Sequence, residues 1–266
     1  MAGGRIRDIW GERTPFARGE EWPTRVDSLL EEGTEERPIQ WHQSACVLCS
    51  NGCALDVGVV DGRIVGVRGR EVDRVNHGRL GPKGLYGWQA NNSPDRLTRP
   101  LVREGGSLVE SDWDTALTLV ADRLRRQLEQ SGHNSIGFYN TGQLFIEDYY
   151  TLAVLAHGGI GTNHLDGNTR LCTATAAAAL KETFGSDGQP ASFVDVNHCD
   201  TLFHVGINIA ETQTVTWMRM LDRLDGPDPP RLVVVDPRPT EAARRAEVHL
   251  AIKSGTNVAL LNALMH

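Results

Sequence analysis

The chain has 266 residues, of which 40% are hydrophobic and 23% charged, and its formal net charge at pH 7 is −7. This length allows one large domain or two smaller ones, and the composition is typical of soluble globular proteins. The acidic balance gives no electrostatic footprint for nucleic acid or anionic membranes. No apolar run approaches the ~20 residues of a transmembrane helix. We therefore expect neither nucleic acid nor a membrane span.

The first 40 residues are polar, contain three prolines and carry the acidic pairs Glu31-Glu32 and Glu35-Glu36. They are interpreted as an extension, 1–40, that wraps on a partner domain or stays loosely ordered. Met1–Trp10 has neither an apolar core nor a twin-arginine pair, so no export signal is expected. The default localisation is cytoplasmic.

Three of the five cysteines, Cys46, Cys49 and Cys53, form a C-x2-C-x3-C pattern. This spacing lets one loop place three thiolates around an iron–sulfur or zinc centre. A zinc site usually has a second ligand pair, and the sequence has no second C-x-x-C. Reduced structural cysteines are the alternative. Clustering and an odd number favour metal binding in a reducing compartment over disulfides.

Two β-rich runs, 54–60 and 63–68, follow on either side of Asp61-Gly62. An Asp-Gly pair between such runs is typical of a hairpin turn, so a small β-rich module is expected at 41–99. The basic stretch Arg63–Arg79 also contains acidic residues, and is interpreted as a solvated face of mixed charge.

After Pro100, apolar runs alternate with segments of helical periodicity. Ser111 and Asp114 form a capping-box-like start to one helix. The predicted strands lie at 135–139, 201–205 and 232–235, and the predicted helices near 147–158, 172–184 and 213–224. Such alternation predicts a doubly wound, mostly parallel sheet with helices on both faces. The expected fold class is therefore α/β, with the small β-rich module first.

The segment Gly78–Trp88 reads GRLGPKGLYGW. It resembles the G-R-L-C-x-K-G segment of the molybdopterin oxidoreductases, a family that includes formate dehydrogenases and periplasmic and assimilatory nitrate reductases. The resemblance implies a [4Fe–4S] site that a fourth cysteine closes, and a lysine, here Lys83, between cluster and pterin. Gly81 stands at the fourth-cysteine position and has no side chain to bind iron. We expect the three thiolates to converge, with Gly81 facing the gap.

The glycine leaves three alternatives open. A [4Fe–4S] cluster takes a non-cysteine ligand, the cysteines hold a [3Fe–4S] cluster, or no cluster forms. His42 lies four residues before Cys46, an offset that resembles the histidine ligand of respiratory nitrate reductases, and His77 lies four before Gly81. If a histidine is the ligand, His42→Ala or His77→Ala is expected to shift the EPR signal towards a three-iron type.

Residues 142–188 resemble the same family, and most closely its assimilatory and periplasmic nitrate reductases. The matching pieces are Gly142-Gln143, Glu147–Tyr150, Gly159–Asn163, Asn168–Cys172 and Thr183–Gly188. The resemblance implies that Cys172 is the protein ligand to molybdenum, for which a thiolate is a suitable soft donor. It also implies that Gln143 and Asn168 contact the pterin. Cys199 lacks such flanks and is interpreted as structural.

Three later loops resemble the guanine-dinucleotide part of the family. The first two follow predicted strands, where backbone N–H groups can hold a diphosphate and where ligands gather in open α/β sheets. Plain strand-to-helix turns are the alternative. The cofactor-binding residues that the resemblance implies here are Gly206, Asn208, Glu211, Thr212, Asp236, Arg238, Thr240, Gly255, Thr256 and Asn257.

The resemblance covers residues 44–266 and implies a nitrate reductase-like enzyme with an iron–sulfur cluster and Mo-bis(molybdopterin guanine dinucleotide). Lys83 and Cys172 would be its catalytic residues, with electrons passing from cluster to molybdenum and a small anionic substrate reduced there. The implied redox partner is a ferredoxin, a flavoprotein or an NAD(P)H-linked subunit. Much of the family's chain follows the part matched here. The domain at 100–266 is therefore expected to be truncated, and the isolated chain to show no nitrate or formate turnover.

Two other functions remain open. One is a formate dehydrogenase-like enzyme, although Thr173 stands where those relatives carry a proton-accepting histidine. Thr173 also departs from the methionine usual in nitrate reductases. The other is a non-catalytic iron–sulfur electron-transfer module or a truncated remnant.

Overall fold

The computed structural model describes residues 9–34 and 36–266. The expectation about an export signal falls largely on residues 1–8, which lie outside the described residues, as does Glu35 of the second acidic pair. The chain forms two compact units. Unit 1 contains the described residues up to Asn91 together with Ala191–His266, and unit 2 contains Asn92–Pro190. The sequence predicted three consecutive domains with boundaries at residues 40 and 99. In the structure, unit 2 is instead inserted between the two chain segments that form unit 1.

The strands in the described residues are β1 (Ser28–Leu30), β2 (Gln40–Ala45), β3 (Ala54–Val60), β4 (Arg63–Gly69), β5 (Leu101–Glu104), β6 (Ser107–Glu110), β7 (Phe138–Asn140), β8 (Leu165–Gly167), β9 (Thr201–Val205), β10 (Arg231–Val235) and β11 (Val248–Leu250). The α-helices are α1 (Pro82–Tyr86), α2 (Trp113–Ser131), α3 (Ile146–Ala153), α4 (Thr169–Cys172), α5 (Ala174–Phe184), α6 (Asp195–His198), α7 (Ile209–Thr212), α8 (Thr214–Leu224), α9 (Glu241–Arg245) and α10 (Asn257–Met265). Short 3₁₀ segments lie at Gly87–Asn92 and His133–Ser135, and a π-helical segment at Val154–Ile160.

An antiparallel sheet of order β1-β4-β3-β2 forms the first part of unit 1. The β3–β4 hairpin turns at Asp61 and Gly62, which both have positive φ, as a two-residue type I′ connection requires. The hairpin predicted from these two residues is therefore confirmed.

A parallel sheet of order β11-β10-β9 forms the second part of unit 1. The predicted strands 201–205 and 232–235 and the predicted helix 213–224 correspond to β9, β10 and α8, and the α/β fold class is confirmed. Helix α8 is buried along most of its length because two hydrophobic cores meet on it. Trp217 and Leu221 pack with the parallel sheet, while Val215 and Met218 pack with the antiparallel sheet and the N-terminal segment.

The N-terminal segment of unit 1 packs against α8. Phe16 and Trp22 are buried in the core that also contains Val215. Arg79 stacks on Trp22, with its guanidinium carbon 3.8 Å from the ring centroid, and it is fully buried. The interpretation of Arg63–Arg79 as a solvated face was therefore wrong for Arg79. This residue is buried between an aromatic partner, Trp22, and a carboxylate partner, Asp222.

Unit 2 contains the β5–β6 hairpin and the parallel pair β7–β8. The N-cap of its longest helix, α2, is Asp112, whose carboxylate accepts a hydrogen bond from Thr115 N at 2.8 Å. The expectation of Ser111 as the cap was wrong by one residue, since aspartate and serine cap helices equally well. Trp113, the first residue of α2, is 64% exposed.

We expect the free energy of unfolding of unit 1 to decrease when the pH is lowered, and we attribute this to His204. This side chain lies on β9, is 6% exposed, and has no hydrogen-bond partner for either ring nitrogen among the described residues. Burial lowers its pKa. As pH falls through the ordinary histidine value of about 6.5, the unfolded chain takes up a proton before the folded chain does. The free energy of unfolding should then fall by at most about 1.4 kcal/mol per pH unit.

Urea unfolding between pH 7.5 and 5 measures this slope. His204→Leu should lose this part of the slope, whereas the same change at exposed His198 should keep it. Equal slopes in both variants would contradict the assignment.

Candidate functional site

The loop that carries the three clustered cysteines joins two antiparallel strands. Cys46 directly follows β2 and Cys53 directly precedes β3. Because these strands pair, Cys46 N donates a hydrogen bond to Cys53 O at 2.9 Å. Ser50 and Gly52 adopt positive φ and turn the chain between them. The strand pairing therefore brings the backbones of the first and third cysteines together, and the convergence of the three thiolates stays a prediction.

Of the three cysteines in this loop, Cys53 is buried, and Cys46 and Cys49 are partly buried. Burial raises the pKa of Cys46 and of Cys53, and the neighbouring cysteines raise both further. Asn51 Nδ2 lies 3.3 Å from Cys49 Sγ and donates to it. Burial therefore favours the neutral thiol form of Cys46 and Cys53. A bound metal reverses that preference because its charge favours thiolates.

Lys83 lies beside the cysteine loop. It belongs to α1, and its Nζ is 3.5 Å from Leu48 O within the loop. Its positive charge lowers the pKa of Cys46, against the larger effect of burial. Its place between the cluster and the pterin stays a prediction.

The donor set fits three corners of an iron–sulfur cluster and leaves the fourth without a thiolate. Within residues 9–34 and 36–266, no group of three or more His, Cys, Asp or Glu side chains is arranged to hold a single metal ion. A cluster differs from a single ion, because each thiolate binds a different iron. Gly81 is the N-cap of α1. His42 is exposed on β2, and the His77 ring packs on Trp22, with the ring centroids 5.5 Å apart.

In unit 2, the residues expected at molybdenum and pterin lie after the carboxyl ends of two paired parallel strands. Gln143 follows β7, and Asn168 follows β8. Asn168 Oδ1 accepts a hydrogen bond from Gly142 N at 2.8 Å, which ties the two loops together. A β-carbon on Gly142 would lie 2.5 Å from Thr169 Cγ2, so any larger residue would require the Thr169 side chain to move. Cys172 ends α4 and is exposed.

In unit 1, the loops expected to bind the dinucleotide leave the carboxyl ends of β9, β10 and β11. Gly206, at φ 64°, turns the first loop and donates its N–H to Val235 O at 2.8 Å. Four predicted residues line one cleft of about 480 Å³: Asn208, Glu211, Arg238 and Thr240. Asn208 Oδ1 is buried there with no hydrogen-bond partner among the described residues. An orphaned acceptor and an arginine in one cleft suit a ligand that carries both donors and phosphate.

Other predicted groups of these loops have partners inside the protein. Asp236 Oδ1 accepts from Arg238 N at 2.8 Å, and Thr240 caps α9 by accepting from Ala243 N. Thr212 Oγ1 donates to Asn208 O, and Thr256 Oγ1 donates to Lys253 O. These contacts shape the loops. The residues Gly255, Thr256 and Asn257 do not line the cleft.

The structure adds three residues that the sequence reasoning missed near the cysteine loop. Thr216 Oγ1 donates to Asn51 Oδ1 at 2.8 Å, and Asn51 in turn contacts Cys49. Thr214 lies against Gly81. Asn51 could have been suspected from its place inside the cysteine motif, whereas neither threonine carries a local signal.

Two family models match the chain. Residues 96–266 match the molybdopterin oxidoreductase model, and residues 39–93 match the molybdopterin oxidoreductase Fe4S4 domain. These matches confirm the predicted cofactor classes, molybdenum–molybdopterin and an iron–sulfur cluster.

Similar proteins include a nitrate reductase from Symbiobacterium thermophilum, 38% identical over 230 residues, which cover 86% of this chain and 30% of that protein. The periplasmic nitrate reductase of Desulfovibrio desulfuricans is 35% identical, with 86% and 31% covered. The F420-dependent formate dehydrogenase 1 subunit alpha of Methanococcus maripaludis is 33% identical, with 86% and 33% covered. The chain thus spans about a third of the length of these relatives.

Acetylene hydratase from Pelobacter acetylenicus is a similar solved structure, with a TM-score of 0.68 and 24% identity. The match covers 84% of this chain and 31% of that one, and it shows the fold. Within the described residues, no helix combines the length and the apolar character that crossing a membrane requires. The model that matches 96–266 covers more than half of the sequence, and the chain therefore belongs to the molybdopterin oxidoreductase family.

Proposed function

We propose that this chain is the cofactor-binding, amino-terminal part of a nitrate reductase-like molybdenum oxidoreductase. The observation that carries the proposal is the loop pair in unit 2. The bond from Gly142 N to Asn168 Oδ1 holds the Gln143 loop beside the short helix that presents Cys172 to solvent. An exposed thiol on the same pair of loops as two amide side chains can hold a soft metal while the amides bind the polar edge of its organic ligand.

The cofactor form we propose is the guanine dinucleotide. The cleft at the ends of β9 and β10 offers the unpaired Asn208 Oδ1 as an acceptor for base or ribose donors, and Arg238 as a cation for the diphosphate. When bound, the molybdenum group supplies two-electron oxygen-atom chemistry. The loop of Cys46, Cys49 and Cys53 holds the iron–sulfur cluster that exchanges single electrons with a ferredoxin, a flavoprotein or an NAD(P)H-linked subunit.

We favour nitrate over formate as the substrate because of Thr173. Its Oγ1 donates a hydrogen bond to Thr169 O at 3.0 Å and is held in the helix. Formate oxidation needs a proton acceptor beside the metal, and a hydroxyl group does not accept a proton near neutral pH. The nitrate reductases among the relatives point the same way. As part of this proposal we place the chain in the cytoplasm, since all five cysteines are free thiols.

The test is elemental analysis of the chain purified anaerobically from a host that makes the molybdenum cofactor. We expect iron, sulfide and molybdenum to co-purify. Iron without molybdenum would replace this proposal by an electron-transfer module, and the absence of both metals would refute it. Nitrate should alter the molybdenum EPR signal of the loaded chain and formate should not. The reverse result would favour a formate dehydrogenase.

A further inference from the structure

The backbone at Gly81 is ordinary, but the space beside it is occupied. Its φ of −75° and ψ of 171° suit any residue. A β-carbon built at this position would lie 3.0 Å from Thr214 Oγ1 and 3.1 Å from Thr214 Cβ. Two β-carbons stay where their backbones place them, whatever the rotamers of their side chains. A cysteine at this position therefore requires α1 and α8 to separate by a few tenths of an ångström.

The start of α8 is held in place beside the cysteine loop, so it resists moving away from Gly81. Thr214 is its first residue and is buried, and the next residue, Val215, lies in the same core cluster as Cys53. One residue further, Thr216 Oγ1 bonds to Asn51, which donates to Cys49 Sγ. The first turn of α8 thus forms a wall of the loop that is fixed by packing and by hydrogen bonds.

We propose that Gly81 and Thr214 are a matched pair, which makes this a three-thiolate site that takes a [3Fe–4S] cluster. The inference rests on the proposed function, because it concerns the cluster that the function requires. Thr214 fills the space of the missing cysteine side chain. Its hydroxyl is protonated near neutral pH and is a hard donor, so it does not replace a thiolate. The thiolates of Cys46, Cys49 and Cys53 supply one ligand to each of three irons.

The experiment compares the wild-type chain with Gly81→Cys, Thr214→Gly and the double variant after anaerobic reconstitution with iron and sulfide. We expect the three-iron EPR signal in oxidised wild type. Gly81→Cys should keep that signal and unfold at a lower temperature, because its β-carbon overpacks against Thr214. Gly81→Ser is the matched control, which adds the same β-carbon without the thiol and should unfold equally early. The double variant removes the clash and should give a reduced four-iron signal.

A four-iron signal in the wild type, or in Gly81→Cys alone, would overturn the pairing and leave the proposed function intact. Failure of every variant to bind iron would instead refute the proposed function, and the inference with it. A second measurement does not depend on the double variant folding. Ferrous iron added to the reduced wild type should enter a fourth site from which EDTA removes it. A fourth iron that resists EDTA would contradict the three-thiolate site.

Discussion

Asp222→Ala is expected to destabilise unit 1 by about 3–5 kcal/mol, the range for removing one partner of a buried ion pair. Asp222 is 1% exposed and lies 3.3 Å from the fully buried guanidinium of Arg79. Its carboxylate also accepts from Trp22 Nε1 at 2.8 Å and from Thr14 N at 2.9 Å. Against a typical total stability of about 5–15 kcal/mol, this loss would leave the unit close to unfolding.

The size of the effect follows from the charge that would remain. Arg79, Arg219 and Arg223 are all buried around Trp22 and Phe16, and burial lowers the pKa of both Arg79 and Arg219 to about 10. Asp222 is the buried carboxylate among them. Without it, Arg79 keeps its desolvation cost and loses its counter-charge.

Urea denaturation followed by tryptophan fluorescence measures the change. Asp225→Ala is the matched control, since its carboxylate pairs with Arg245 at the surface and should matter by less than about 1 kcal/mol. Asp222→Asn removes the charge and keeps one of the two accepting oxygens, and should fall between the other two variants. Similar stability of Asp222→Ala and Asp225→Ala would show that this network is not a main support of unit 1.

Cys172→Ala is expected to lower the molybdenum content of the purified chain at least about tenfold. Loss of a mere outer-shell partner costs about 10–100-fold in metal affinity, and a direct ligand should cost no less. The thiol is exposed at the end of α4 and lies 3.9 Å from Thr169 O, so its removal disturbs little packing. Iron should stay unchanged, because the clustered cysteines are intact.

Cys199→Ala is the matched control for molybdenum. Cys199 is half-buried, lies 3.7 Å from Val196 O and packs at the edge of the parallel-sheet core. Its loss should affect stability alone. Metal analysis of both variants in parallel decides the matter. Equal molybdenum contents would mean that Cys172 does not bind the metal.

The sequence predicted the elements whose signals are local. The pair Asp61-Gly62 predicted the β3–β4 hairpin because only a few residue types adopt positive φ at both positions of a tight turn. The strands β9 and β10 and the helix α8 stood out because apolar runs alternate there with helical periodicity. The cysteine spacing predicted a loop at 46–53. The structure shows that the pairing of β2 with β3 closes this loop.

Contacts between distant residues could not be predicted in this way. Arg79 pairs with Asp222 across 143 positions, and nothing near either residue reveals the other. The same holds for Thr214 beside Gly81: the sequence shows that a cysteine is missing, but only the fold shows what fills its place. At the start of α2, two adjacent residues both suit an N-cap, so local chemistry could not choose between them.

The discontinuity of unit 1 has a consequence for biosynthesis. Its antiparallel sheet and cysteine loop leave the ribosome early, but α8, which walls that loop, follows more than a hundred residues later, after all of unit 2. Pairings of such long range close slowly and only after the intervening chain exists. During that interval, α8 does not yet pack against the loop that carries the three thiols of the nascent chain. Durable iron–sulfur insertion should follow translation of α8, which makes cofactor loading a late event in the maturation of this protein.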